Sequence, residues 1–158
     1  MSSARNEPVH LPGHLDHSRL QNLLGYRLAQ ASIPTDNIFR NRIAAVHAVN
    51  KLEFSILMLL MSNLEVTPKR LAVALNIPGS NLTLLLDRLE QRGLLIRARS
   101  AGDRRVQHIL LTPDGERLVA ELQVSANSME AELLKHLSKA EQAMLFELLG
   151  KLSVHRKV

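Results

Sequence analysis

Residues 67–93 carry the pattern of two short helices joined by a turn, and this stretch constrains the fold most strongly. Thr67-Pro68 predicts a helix start, because a Thr side chain caps free backbone N–H groups and Pro suits the first helical position. Residues 76–80 predict the turn, and a second helix follows over residues 80–91, with Gly93 as its C-terminal cap. Leucines at spacings of three and four predict the buried face of this second helix: Leu82, Leu85, Leu86 and Leu89.

A small hairpin is predicted directly after these helices. Residues 94–98 and 107–111 are short strand candidates, and residues 100–103 between them (Ser-Ala-Gly-Asp) have the composition of a turn. A helix-turn-helix buries one face of its second helix and presents the other face to the major groove of DNA. The order of elements therefore favours a DNA-binding unit.

The basic side chains are concentrated in the same part of the chain. Residues 67–105 contain eight Lys and Arg against three Asp and Glu, a difference that equals the formal charge of +5 of the whole chain. Positive charge localised in this way is typical of proteins that bind a polyanion. The alternative is a solvated charged surface, and the coincidence with a helix-turn-helix favours DNA over it.

The outward face of the second helix supplies candidate DNA contacts. Ser80, Asn81, Thr83 and Leu84 lie at its N-terminal end, where side chains of such a helix usually contact bases. An Asn side chain can pair with adenine, and Thr can exchange hydrogen bonds or pack on a thymine methyl group. Arg88 lies one turn further on, and we expect it to contact phosphate.

The hairpin supplies the remaining candidates. Arg97 and Arg99 lie on its first strand, close to the expected path of the DNA backbone. Arg104 and Arg105 follow Gly102-Asp103 at the tip. Because the minor groove is narrow and electronegative, we expect the two tip arginines to enter it.

Helices are also predicted on both sides of this unit. Helical periodicity begins near Asp16, and Pro34 either kinks this first helix or splits it in two. A buried helix is predicted over residues 50–63, where Asn50 and Glu53 have the spacing of a capping box. Thr112-Pro113 begins a long helix to about Leu137.

The last helix is predicted from the capping box that begins at Ser138 to about Leu152. Leucines and methionines recur along both C-terminal helices. This apolar surface exceeds what a small DNA-binding unit can cover, so a homodimer is expected, and packing within one chain is the alternative. A dimer also suits DNA, since two recognition helices about 34 Å apart match a palindromic site.

The composition agrees with a mainly helical protein. Leucine dominates, and aromatic residues make up only 3% of the chain. The absence of cysteine excludes disulfides, thiolate metal sites and cysteine nucleophiles. With no signal-peptide pattern and no apolar stretch of about 20 residues, we expect a cytoplasmic, nucleoid-associated protein of a bacterium or archaeon without a membrane partner.

The motif string that follows the helix-turn-helix resembles the MarR family of winged-helix transcriptional regulators. It comprises LDRLEQRGLLIR at residues 86–97, DRR at 103–105 and LLTPDG at 110–115. The resemblance implies a homodimer whose recognition helices occupy major grooves and whose wings occupy minor grooves. It also implies a repressor that a small phenolic or carboxylate ligand releases from DNA.

The resemblance places the family's wing arginine at Arg105, and Asp103 is expected to brace an arginine. Two positions depart from the family pattern. Leu84 stands where a basic residue often follows the recognition-helix Thr, which favours an apolar contact with thymine over a contact with guanine. Pro78 stands where the family usually has a Ser cap, so the sequence does not determine how the recognition helix begins.

The expected organisation has four parts. Residues 1–15 form a flexible arm, residues 16–48 the N-terminal dimerisation helix, residues 49–112 the winged helix-turn-helix with a two-stranded wing, and residues 113–158 the C-terminal dimerisation helices. The expected partners are palindromic double-stranded DNA, a second copy of the chain and a small-molecule effector.

The candidate effector site comprises Tyr26, Arg27 and Arg40. The resemblance implies a pocket beside the dimerisation helices, where an arginine and a tyrosine hydroxyl would suit a carboxylate or phenolate. LGYRLAQAS at residues 24–32 resembles family members that respond to aromatic acids or their CoA thioesters. The alternative is that Tyr26 packs in the dimer interface and the arginines are solvated.

Other kinds of site have little support. His10, His14 and His17 could suggest a metal site, but Pro12-Gly13 would break a helix that aligned them, which favours a flexible arm. No phosphate loop, nucleophile elbow or paired carboxylates favour catalysis, so neither an enzyme nor a cofactor is expected. Three hypotheses remain: a ligand-released repressor, a global DNA-binding regulator without an effector, and a small enzyme or protein-interaction module.

Overall fold

The computed structural model describes Gly13, residues 15–99 and residues 106–154, and it is mainly helical with one two-stranded sheet. The described residues fall into two compact units that divide between Asp36 and Asn37. The elements in chain order are α1 (Leu24–Phe39), a π-helical turn (Arg40–Ala44), α2 (Ala45–His47), α3 (Lys51–Ser62), α4 (Pro68–Leu75), α5 (Gly79–Gln91), β1 (Leu95–Arg99), β2 (Gln107–Leu111), α6 (Pro113–Leu133) and α7 (Lys139–Ser153). The predicted fold class is confirmed.

Helix α1 begins at Leu24, so the prediction of a helix from near Asp16 is wrong. The Asp16 carboxylate accepts a hydrogen bond from the Ser18 backbone N–H at 2.8 Å. The N–H groups of Leu20 and Gln21 both donate to the carbonyl of His17, at 2.9 and 3.1 Å. These side-chain and turn bonds replace the regular helical ladder in this stretch.

Pro34 does not split the first helix, because α1 continues through it to Phe39 and the chain stays helical to His47. The departure from α-helical hydrogen bonding comes six residues later, in the π-helical turn that begins at Arg40. The helix then ends at Ala48, whose φ of +53° is left-handed. Such a residue commonly ends a helix, although without glycine it carries some strain.

Cap chemistry accounts for the starts of α3, α4, α6 and α7, as predicted. Asn50 Oδ1 accepts from the Glu53 N–H, and Glu53 Oε2 accepts from the Asn50 N–H, both at 2.9 Å. Thr67 caps α4, where its hydroxyl accepts from the Arg70 N–H at 3.3 Å. The capping box of α7 is confirmed too, and the hydrogen bonds from Ser138, led by its hydroxyl, lower the pKa of the Glu141 carboxyl.

The core of the second unit joins the helix-turn-helix to its neighbours. The four predicted leucines of α5 are buried, so the predicted face is confirmed. Helix α3 adds Ile56 and Leu57, and α6 adds Val119 and Leu122. The recognition-helix candidate α5 is therefore fixed to α3, α4 and β1 by apolar packing along one side.

The two strands pair antiparallel, with Leu95 opposite Leu111 and Arg99 opposite Gln107. Strand β1 thus begins and ends one residue later than predicted. Helix α6 ends at Leu133, four residues before the predicted Leu137. The side-chain amide of Gln142, in α7, donates to the carbonyl of Leu134 at 3.0 Å and to that of Leu137 at 2.9 Å, which stabilises an early helix end.

Within residues 15–99 and 106–154, no single helix has both the length and the apolar content to cross a membrane. One bent pair of helices meets that test by length and composition alone, and its second member, α3, contributes to the core. The same described residues contain no group of three or more His, Asp or Glu side chains placed to hold a metal ion. His10 and His14 lie outside the described residues.

Candidate nucleic-acid interface

Helix α5 presents an exposed polar face opposite its buried leucines. Ser80, Asn81, Thr83 and Leu84 are all exposed on its first two turns. The Thr83 hydroxyl donates to the carbonyl of Gly79 at 2.9 Å, and its oxygen keeps acceptor capacity. Pro78 occupies the N-cap position and its side chain makes no capping hydrogen bond. The first helical hydrogen bond runs from the Leu82 N–H to the Pro78 carbonyl.

This face has the chemistry to contact base edges. The Asn81 amide offers one acceptor and two donors, a set that matches the edge of adenine in the major groove. The Leu84 side chain is 64% exposed. An exposed apolar side chain here can pack on a thymine methyl group, as its position in the sequence predicts.

Arg88 is placed one turn beyond the base-reading candidates, and the structure gives it a partner. Its Nε lies 3.2 Å from Oε1 of Glu53, whose side chain is only 7% exposed. The Arg88 side chain itself is more than half exposed. The guanidinium is therefore oriented by a buried carboxylate while its outer edge faces solvent, where a phosphate could bind it.

Arg97 contacts α5 instead of projecting into solvent. Its guanidinium bonds to the Asp87 carboxylate and lies 3.3 Å from Oε2 of Glu90. Its side chain is 22% exposed. Arg97 thus joins β1 to the second half of α5, and a DNA contact through the same guanidinium stays a prediction.

The wing tip lies outside the described residues. Arg99 is exposed at the last position of β1. Arg104 and Arg105, together with Asp103, fall in the stretch 100–105, which the structure does not describe. Their expected entry into the minor groove stays a prediction.

Arg92, the C-cap of α5, has a structural role that the sequence did not predict. Its guanidinium donates to the carbonyl of Ala48 at 2.8 Å and to that of His47 at 3.1 Å. These carbonyls end α2, so Arg92 satisfies acceptors that the helix cannot satisfy itself. The sequence signal was only a basic residue before Gly93, because the partners are more than 40 residues away.

The three effector-site candidates have local partners. The Tyr26 hydroxyl hydrogen-bonds to Nδ1 of His17, and Arg27 Nε donates to the carbonyl of Gln21 at 2.6 Å. Arg40 donates to the side chain of Asn37 at 3.3 Å. Tyr26 is partly buried, while Arg27 and Arg40 are exposed. Tyr26 and Arg27 belong to the first unit and Arg40 to the second.

Comparisons with known proteins agree with this geometry. The family model described as MarR family matches residues 49–106, which hold α3 to β1. A protein of Thauera aromatica assigned to the transcriptional regulation of the hcr operon is 26% identical over 153 residues, covering 96% of this chain and 92% of its own length. The repressor CouR, solved on a 23-mer DNA duplex, is 31% identical, with a TM-score of 0.81 over 88% of this chain and 98% of CouR.

A third relative is BpsR of Bordetella bronchiseptica, whose DNA binding is regulated by 6-hydroxynicotinic acid. It is 26% identical, with a TM-score of 0.77 over 85% of this chain and 95% of BpsR. The identity with CouR extends over almost the whole of that protein. The chain therefore belongs to the MarR family of DNA-binding transcriptional regulators.

Proposed function

We propose that this chain is a homodimeric repressor that binds palindromic promoter DNA and is released by a small anionic aromatic compound or its CoA thioester. The observation that carries the proposal is the exposed face of α5, with Asn81 and Leu84 side by side on a helix whose other face is buried. The relation to CouR, a repressor solved on DNA, supports it. Arg88 supplies positive charge for phosphate one turn beyond the base-reading residues, and Arg104 and Arg105 are proposed to enter the minor groove.

The exposed apolar surface of α7 supports a homodimer. No residue of this helix is buried, and six large apolar side chains are exposed along it: Met144, Leu145, Phe146, Leu148, Leu149 and Leu152. A monomer rarely leaves an apolar face of this kind in water. A dimer formed through α7 would carry two recognition helices, the number that a palindromic site requires.

The effector is proposed from the chemistry of the N-terminal region and from a relative. BpsR responds to 6-hydroxynicotinic acid, which is an aromatic acid. In the first unit, Tyr26 offers a hydroxyl and Arg27 an exposed guanidinium that suit a carboxylate or the phosphates of CoA. Arg40, in the second unit, is a separate candidate with an exposed guanidinium.

The ligand proposal predicts that an aromatic acid or its CoA thioester dissociates the protein from the DNA upstream of its own gene. Fluorescence anisotropy with a panel of such compounds measures this. In Tyr26→Phe with Arg27→Ala, DNA affinity is expected to stay while the response to the active compound disappears. If the double variant responds normally, the effector binds elsewhere, and if no compound acts on the wild type, a regulator without an effector is favoured.

Two further variants separate base reading from backbone binding. Asn81→Ala is expected to relax discrimination between operator and mutated operator, since a bidentate pair with one base contributes about 1–3 kcal/mol. Arg105→Ala is expected to weaken binding to all duplexes and to reduce the salt slope by about 1 per protomer. Titrations at several salt concentrations measure both effects. Equal losses on every duplex for Asn81→Ala would contradict its assignment to base reading.

A further inference from the structure

A groove of about 710 Å³ lies between the first turn of α3 and the exposed face of α5. Lys51 and Leu52 line it on the α3 side, and Asn81, Leu84 and Arg88 line it on the α5 side. Sequence patterns assigned no DNA contact to α3. The groove nevertheless shares two of its lining residues, Asn81 and Leu84, with the base-reading face.

The charge of the groove suits an anion. Lys51 and Arg88 contribute two cationic groups, and none of the described residues that line the groove is acidic. The nearby Glu53 is buried at the contact of α3 with α5, where it accepts from the Asn50 N–H and pairs with Arg88. Its carboxylate orients Arg88 from behind and does not form part of the groove wall.

The dimensions of DNA indicate which anion occupies the groove. An α-helix with its side chains is about 10–12 Å in diameter, and the major groove is about 12 Å wide. A recognition helix therefore fills the major groove, and the sugar-phosphate backbone at the rim must run along its flanks. The groove beside Asn81 is such a flank. Its apolar wall, from Leu52 and Leu84, can pack against deoxyribose while the two cations contact phosphates.

We propose that the groove between α3 and α5 seats the DNA backbone and that Lys51 is a phosphate-binding residue of this interface. The inference rests on the proposed DNA-binding function and extends the interface to the start of α3. Lys51 acts on every duplex alike, because a phosphate contact carries no sequence information.

The test compares Lys51→Gln with Lys139→Gln in the full-length chain. Lys51 and Lys139 are both exposed first residues of helices that begin with a capping box, so the two substitutions remove the same charge from matched positions. Anisotropy titrations from 50 to 200 mM salt are made on the operator and on an unrelated duplex. Thermal unfolding of both variants establishes that they are folded.

Lys51→Gln is expected to weaken binding to both duplexes and to reduce the salt slope by about 0.9 per protomer, whereas Lys139→Gln leaves the slope unchanged. Raising the salt fourfold then costs the wild type about three- to fourfold more affinity per protomer than Lys51→Gln. Equal slopes for Lys51→Gln and Lys139→Gln would overturn the inference alone. A wild type without salt-sensitive binding to any duplex would overturn the proposed function as well.

Another result would assign the groove to a different occupant. If Lys51→Gln left DNA binding unchanged but abolished the effect of an active aromatic acid, the groove would be a small-molecule site and the backbone assignment would be wrong. Titration of DNA-bound Lys51→Gln and Lys139→Gln with that compound at fixed salt distinguishes a small-molecule site from a DNA backbone site.

Discussion

Gly115→Ala is expected to destabilise the protein by about 1–3 kcal/mol or more, because the new methyl group has no space. A Cβ at this position would lie 2.0 Å from the carbonyl oxygen of Leu94 and 3.2 Å from a methyl group of Leu111. The Leu94 carbonyl is itself fixed, since it accepts from the Thr112 N–H at 3.1 Å. Backbone must therefore move against backbone, at the point where α6 crosses the start of the wing. Denaturant unfolding followed by circular dichroism measures the loss.

Gly79→Ala is the matched control for this substitution. Gly79 is also near the start of a helix, and a Cβ built there meets nothing within 4 Å. Its effect on the free energy of unfolding is expected to stay within about 0.5 kcal/mol. If Gly115→Ala and Gly79→Ala were equally stable, the Leu94 backbone would move away from α6 at little energetic cost, and the expected clash would be wrong.

Glu53→Gln is expected to change stability and DNA affinity in opposite directions. The substitution removes the charge that pairs with Arg88 at 3.2 Å. It also weakens the hydrogen bond from the Asn50 N–H, because the acceptor is then a neutral amide and no longer a carboxylate. Loss of these charge-assisted bonds lowers the free energy of unfolding by about 1–2 kcal/mol, an effect limited by the exposure of Arg88. Glu53 orients Arg88 but also neutralises part of its charge, and because Arg88 is more than half exposed we expect the lost neutralisation to outweigh the lost orientation, so that affinity for DNA rises by about two- to fivefold per protomer.

Glu130→Gln controls for the change in net charge, since Glu130 is an exposed residue of α6. Anisotropy and chemical unfolding on the same preparations give both quantities. If Glu53→Gln and Glu130→Gln bound DNA with equal affinity, the Glu53 charge would not limit the binding of phosphate by Arg88, and the contact between them would serve stability alone.

Local chemistry in the sequence predicts most of the helix-turn-helix. Asn50, Thr67 and Ser138 cap helices as expected. The C-cap of α5 is Arg92 instead of the predicted Gly93, which follows it with the positive φ of +69° that commonly ends a helix. Caps and leucine spacing depend on residues within one or two turns, so a sequence contains all of the information.

Features that depend on distant residues escaped prediction. The end of α6 is set by the Gln142 amide from the next helix, and the sequence around Leu133 has no stop signal. The contacts of Arg97 with Asp87 and Glu90 on α5 were not predicted, and its expected contact with DNA stays a prediction. Asp87 and Glu90 are three residues apart on one helix face, and this acidic pair opposite a basic strand was the signal that could have indicated the contact.

The groove between α3 and α5 could not be predicted either. Leu52 and Lys51 are ordinary residues for the first turn of a buried helix, and only the packing of α3 against α5 brings them beside Leu84. The sequence therefore predicts which residues of α5 are exposed, but not which neighbours extend that surface.

The polar contacts of α5 are concentrated at its C-terminal end. Among the described residues, its ion pairs and its bonds to distant carbonyls all involve residues 87–92, with Arg92 at the end of α2. Its N-terminal turn has no side-chain cap, and apolar packing fixes it. The 13 residues of the helix place roughly 18 Å between the two ends at about 1.5 Å per residue. Asn81 lies roughly 16 Å along the helix from Arg92, so a rotation of about 5° at the Arg92 end would move Asn81 by roughly 1.4 Å, enough to break a hydrogen bond to a base.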